Sequence, residues 1–141
     1  MLKANVGRIC LVRMSEGDDL LETIKKSAEE NGVRAAVFTL IGALKNVVLG
    51  CYKDGEYVYT RLDGPVEIAS CIGNIAVDEK DDVVVHAHLV VSNVKAEASG
   101  GHLMKGSIVG PTAELMLFEV TGADWRKAFD EKTKLKLFKL G

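Results

Sequence analysis

Val83-Val84-Val85-His86-Ala87-His88-Leu89-Val90-Val91 is a valine-dominated run without glycine or proline, and it predicts a β-strand. Side chains alternate between the two faces of a strand, so Val83, Val85, Ala87, Leu89 and Val91 form one wholly apolar face. The other face carries Val84, His86, His88 and Val90, with the two imidazoles side by side in its middle. A strand apolar on one side and flanked by valine on the other is expected to be covered on both. Two adjacent buried imidazoles then need polar partners, because an unpaired buried polar group costs about 1–3 kcal/mol. A divalent metal supplies such a partner, neutral imidazole being a ligand for zinc, copper, iron and nickel.

Ser99-Gly100-Gly101-His102 follows after a short link and brings the third and last histidine of the chain. The two glycines are expected to let the backbone turn sharply and deliver His102 to the strand before it. His86, His88 and His102 are therefore the candidate metal ligands, and three histidines with an open position are a recurrent zinc arrangement. The same residues also allow a plainer reading, in which the imidazoles bond backbone carbonyls or form a polar stripe at an interface. The gathering of all three histidines into one window favours the ligand reading.

At 141 residues the chain is long enough for one substantial core and too short for two ordinary domains. Hydrophobic residues make up 48% and charged ones 27%, a globular rather than a disordered balance. A net charge of −2 provides no bulk attraction to phosphate backbones, which counts against nucleic-acid binding by the domain itself. Cys10, Cys51 and Cys71 are odd in number and lie in apolar runs, which predicts buried free thiols in a reducing compartment and a cytoplasmic location. Met1 to Asn5 lead straight into a strand pattern, and no uncharged run reaches membrane-spanning length, so neither a leader nor a membrane segment is expected.

The remaining pattern predicts a first strand over 6–12 and a helix beginning near Ser15 and Asp18, with Leu20, Leu21, Ile24 and Ala28 inward and Gly32 past its end. Strands follow over 33–41 and 47–52, joined through Lys45-Asn46, and Asp54-Gly55 marks a hairpin into Tyr57-Val58-Tyr59. Gly64-Pro65 punctuates before a long strand over 66–77, and Asp78 to Asp82 make a charged turn. After the histidine strand come a link over 93–101, a strand over 102–109, a turn at Gly110-Pro111 and a strand over 112–120. Asp124 is placed to cap a short helix carrying Trp125, Ala128 and Phe129. Residues 134–138 alternate as a final strand, whose lysines would guard an exposed edge. The expected fold class is thus α+β: a mostly antiparallel sheet packed with one longer helix and one short C-terminal helix, in a single domain over 1–141. Phosphate loops, dinucleotide turns, nucleophile elbows and Cys-x-x-Cys pairs are absent, so nucleotide-dependent chemistry is not indicated.

Six segments together resemble the plant and prokaryote conserved domain family. They are Gly17-Asp18-Asp19-Leu20-Leu21-Glu22-Thr23-Ile24, Gly42-Ala43-Leu44, Gly64-Pro65-Val66-Glu67-Ile68, Val85-His86-Ala87-His88-Leu89, Gly100-Gly101-His102-Leu103 and Gly110-Pro111-Thr112-Ala113-Glu114. The resemblance implies an antiparallel sheet with a helix packed on it, a homotrimer, and, as in prokaryotic members, a metal on histidines matching His86, His88 and His102. It also implies a distant structural kinship with acetolactate decarboxylase, whose zinc is held by a similar histidine trio. Shared ligands do not transfer a reaction, which also needs acid–base groups; Glu67, Arg61, Glu97 and Glu114 are weighed for that role against plain surface charge. Plant members add an Arg-Gly-Arg-Pro element that binds DNA, and this chain has none; its basic residues cluster only at Lys132, Lys134, Lys136 and Lys139.

Three functions follow as expectations. The first is a metal-binding homotrimer, zinc or another divalent transition ion, with a structural role or a small-molecule ligand at the metal. The second is a metal-dependent lyase or hydrolase, and the third a DNA-associated protein. A fourth ligand from Cys71 or a carboxylate would favour the structural role, whereas an open position would favour ligand binding or catalysis.

Overall fold

The computed structural model describes residues 1–139. Strands β1 (Asn5–Ser15), β2 (Ala36–Lys53), β3 (Glu56–Val77), β4 (Val83–Ser92), β5 (Ala98–Leu103) and β6 (Ile108–Thr121) form one sheet in the order β1-β6-β2-β3-β4-β5, and every pairing is antiparallel. The second half of β2 also meets β5, through Leu49 opposite Leu103 and Gly50 opposite His102, so the sheet curls back on itself. A separate hairpin of β7 (Lys127–Asp130) and β8 (Leu135–Phe138) ends the chain. No helix among the described residues is long and apolar enough to cross a membrane.

The one helix among the described residues, α1 (Leu20–Glu30), buries Leu20, Ile24 and Ala28 completely. They join Met14, Phe38, Leu40, Ile75, Leu115 and Leu117 in one core on the helix side of the sheet. Each of the leucine, isoleucine, methionine and phenylalanine side chains contributes about 1.5–3 kcal/mol by leaving water. The helix cap is Asp19 rather than Ser15. Its Oδ1 accepts from the Glu22 N–H at 3.1 Å and its Oδ2 from the Gly106 N–H at 2.7 Å, while Ser15 closes β1. At the other end Gly32, with φ +64°, donates to the Glu29 carbonyl and Val33 donates to Ala28, the Schellman closure that an αL glycine permits.

Asp54-Gly55 turns as expected: both residues have positive φ, and Lys53 faces Glu56 across the hairpin. Three other turn signals are corrected. Lys45-Asn46, Gly64-Pro65 and Gly110-Pro111 lie inside β2, β3 and β6, where the β2 ladders shift register and the long strands bend. Gly100 and Gly101 are likewise extended, paired with Val90 and Leu89, and the chain turns instead at 104–107 before β6.

The expected C-terminal helix is absent, and Lys127–Asp130 is a strand. The stretch between Gly122 and the turn after Asp130 is too short to overcome helix nucleation, and β8 offers it backbone partners at once. Asp124 does not cap; it pairs with Arg126 at 3.0 Å. The hairpin is held by charge as well as by packing. Lys136 Nζ lies 2.6 Å from Asp78 Oδ2, Arg126 reaches Asp81 at 2.7 Å, and the Tyr52 hydroxyl donates to the Thr133 carbonyl. Lys136 is therefore an anchor rather than an edge guard. Of the three thiols, all unpaired, only Cys71 is fully buried; Cys10 is half-buried and Cys51 exposed.

Candidate metal centre

Cross-strand register assembles the site. Directly opposed residues in a sheet point to the same face, so two rows can be followed across it. One runs Leu11, Met116, Thr39, Ile72, His88, His102; the next runs Ile9, Phe118, Val37, Asn74, His86. Both rows lie on the face away from α1. The apolar face of β4 is buried as expected, with Ala87, Leu89 and Val91 at most 2% exposed. The histidine face is covered only in part: the terminal hairpin lies over Val84 and His86, whereas His88 is exposed and Val90 is 41% exposed.

One ring nitrogen from each of His86, His88 and His102 falls within 4.8 Å of the others. The Nε2 atoms of His86 and His88 are 3.2 Å apart, and the His86 and His102 rings stack with centroids at 4.9 Å. Two ligands of a tetrahedral zinc with bonds of about 2.0–2.1 Å stand about 3.3 Å apart, so the closest pair already fits. Three imidazoles without a carboxylate suit zinc or a later transition ion rather than magnesium or calcium. Burial, seconded by the neighbouring imidazoles and Lys127, pushes the His102 imidazole down to about 4; burial, then Lys127 and His88, lowers His86 as well. Both are therefore neutral at pH 7, the ligand form.

Three further side chains surround the trio that the residue pattern did not reveal. The Tyr57 hydroxyl lies 3.4 Å from His102 Nδ1, its ring packed on the imidazole with centroids 4.9 Å apart. This contact depends on Gly50, opposite His102, where a Cβ would stand 3.0 Å from the Tyr57 ring. Asn74, opposite His86, has a buried Oδ1 with no hydrogen-bond partner. Lys127, 2% exposed, holds its ammonium over the Phe138 ring at 5.1 Å, and burial lowers its pKa to about 8. Alternation in 125–129 was the available signal for Lys127, masked by the helical spacing of Trp125 and Phe129.

The other candidates lie elsewhere. Cys71 opposes Leu89 on the core side, one residue out of phase with His88, and burial pushes its thiol up to about 12, so it is no fourth ligand. Glu67 is exposed opposite Ser92, at the far end of β4. Arg61 pairs with Asp63, Glu97 accepts from Asn93, and Glu114 lies opposite Arg13 on β1. None of these four lines the cavities beside the histidines.

Comparison with known proteins now adds to the geometry. The sequence pattern of a family described as the Plants and Prokaryotes Conserved domain matches residues 1–121. A Pyrococcus horikoshii plant- and prokaryote-conserved protein superposes with a TM-score of 0.90 at 32% identity, covering 99% of this chain and 98% of that one. A metal-containing protein from Archaeoglobus fulgidus superposes with a TM-score of 0.89, also at 32% identity, over 99% of each chain. Among curated sequences, a bifunctional GlmU protein of Synechococcus sp. is 28% identical over 112 residues. That match takes in 78% of this chain but only 16% of the relative, so the chain spans about a sixth of the curated relatives it matches.

Proposed function

We propose that this chain, which belongs to the Plants and Prokaryotes Conserved domain family, binds one divalent transition ion, zinc foremost, on His86, His88 and His102 and presents it to a small ligand as part of a homotrimer. The observation that carries the reading is the convergence of three ring nitrogens within 4.8 Å. The metal-containing relative supports it, being alike over the full chain length. Tyr57 would fix the ring of His102 by accepting from its Nδ1–H, the outer contact that usually orients a ligating histidine. With Cys71 turned into the core, no thiolate closes the fourth position. An ion so held polarises a ligand oxygen and lowers the pKa of coordinated water. The lyase or hydrolase alternative ranks below binding, because the carboxylates weighed as its acid–base groups line other surfaces.

The homotrimer draws support from the uncovered face of the sheet. Ile9, Leu11, Val37 and Ile72 are 44–73% exposed there and belong to the rows that contain the three histidines, with Ile41 exposed beside them. A single-chain surface of this kind marks an interface, and closed symmetry would cover it. Two experiments test the reading. Elemental analysis should find about one metal per chain in the wild type and a small fraction of that in His88→Ala; equal metal in both would refute the site. Light scattering should give three times 15.2 kDa, and the mass of one chain would refute the assembly.

A further inference from the structure

A cavity of about 460 Å³ opens beside the histidine trio, between β4 and the terminal hairpin. Tyr57, Asn74, His86, His102 and Lys127 supply its polar wall, and Val84, Leu135, Leu137 and Phe138 its apolar one. Its size lies within the range of small-molecule sites, roughly 300–1,000 Å³. One charged group of the wall lacks a counter-charge: Lys127 is 2% exposed, rests on the Phe138 ring, and among the described residues no carboxylate pairs with it. The other lysine in the wall, Lys136, is already bound to Asp78. A buried ammonium without a counter-charge is costly, and an anion entering the cavity would supply one.

We propose that this cavity binds a small carboxylic acid anion, its carboxylate held by the Lys127 ammonium beside the residues that would hold the metal, with its short aliphatic body against Leu135, Leu137 and Phe138. The inference rests on the metal reading above and names the ligand class of the same site. Among the described residues no acidic side chain lines the cavity, so an organic ammonium would find no counter-charge there. The apolar wall discriminates against a wholly polar oxyanion, whose remaining oxygens would be desolvated without partners. The Tyr57 hydroxyl is a further donor within the same wall.

Isothermal titration calorimetry with butyrate and with inorganic phosphate tests this on the zinc-treated wild type, Lys127→Met and Lys127→Arg, each assayed for bound metal. Lys127→Met keeps the length and apolar stem of the side chain while removing its charge. The expected result is unchanged metal content, butyrate affinity at least tenfold weaker in Lys127→Met, partial retention in Lys127→Arg, and phosphate weaker than butyrate in the wild type. Metal-loaded wild type that binds no butyrate, or Lys127→Met that binds it equally, would overturn the inference and leave the metal reading standing. Phosphate binding tighter than butyrate would overturn the carboxylate class. A wild type that takes up no zinc yet binds butyrate through Lys127 would uphold the anion site and overturn the metal reading instead.

Discussion

Replacing Gly73 with alanine should damage fold and site together. Gly73 lies on β3 between Ile72 and Asn74, opposite Ala87, with its missing side chain aimed into the core. A Cβ there would stand 2.5 Å from the His86 carbonyl oxygen and collide with the Phe38 ring; ordinary contact begins near 3.4 Å, a shortfall of about 0.9 Å. Phe38 is 3% exposed and cannot swing into solvent, so β4 must shift away from β3. Overpacking of this kind costs about 1–3 kcal/mol, and weakening one ladder hydrogen bond adds about 1, giving about 2–4 kcal/mol in all. For a chain of this length that corresponds to a fall in Tm of roughly 6–12 °C. Urea unfolding followed by circular dichroism, at one fixed protomer concentration, reads the change as a lower midpoint with an unchanged slope. Metal content should fall as well, because His86 and His88 ride on the displaced strand. A variant within about 0.5 kcal/mol of wild type, with its metal retained, would refute the reasoning.

Asp19→Ala should cost about 2–3 kcal/mol in the same assay, since one carboxylate caps α1 and also binds the Gly106 amide; a change under about 1 kcal/mol would mean the second bond is idle. Acid should loosen the terminal hairpin. Hydrogen bonds from Lys136 and from the Lys80 and Asp82 amides hold the Asp78 carboxyl down at about 2, so its contribution is complete above the ordinary value of 3.8 and is lost as pH falls toward 2. Trp125, the only tryptophan, stacks on Phe138 at 4.6 Å and reports this by fluorescence; Asp78→Asn should show the acid spectrum already at neutral pH, and an unchanged spectrum would contradict the anchor. Binding to duplex DNA should be weak, insensitive to sequence and lost by roughly 200 mM salt, because Lys134 and Lys136 are already paired with Glu131 and Asp78; tight, sequence-selective binding at that salt would reverse the ranking of functions.

The histidine strand was legible because a period of two sorts side chains without any knowledge of their neighbours: Ala87 and Leu89 went to the core, and His86 and His88 to the same opposite face. Asp54-Gly55 was legible for a similarly local reason, the positive φ that its turn requires. Tyr57 and Asn74 were not. Their place beside His102 and His86 is set by cross-strand register and by the return of β5 to β2, contacts between residues far apart in sequence. Gly64-Pro65 and Gly110-Pro111 misled because the residues that break a chain into turns also serve where a long strand bends. The terminal hairpin was misread because Trp125, Ala128 and Phe129 fit a helical spacing, while the partner that decides the matter, β8, begins at Leu135. Lys127 was lost with it.

A metal ion among the three imidazoles would be seen in anomalous diffraction from crystals grown with equimolar zinc, recorded on both sides of the zinc absorption edge. One difference peak per chain is expected, about 2.0–2.1 Å from a ring nitrogen of each of His86, His88 and His102, that vanishes below the edge. Electron density between the three rings with no anomalous signal, or a zinc peak at Cys51 instead, would contradict it.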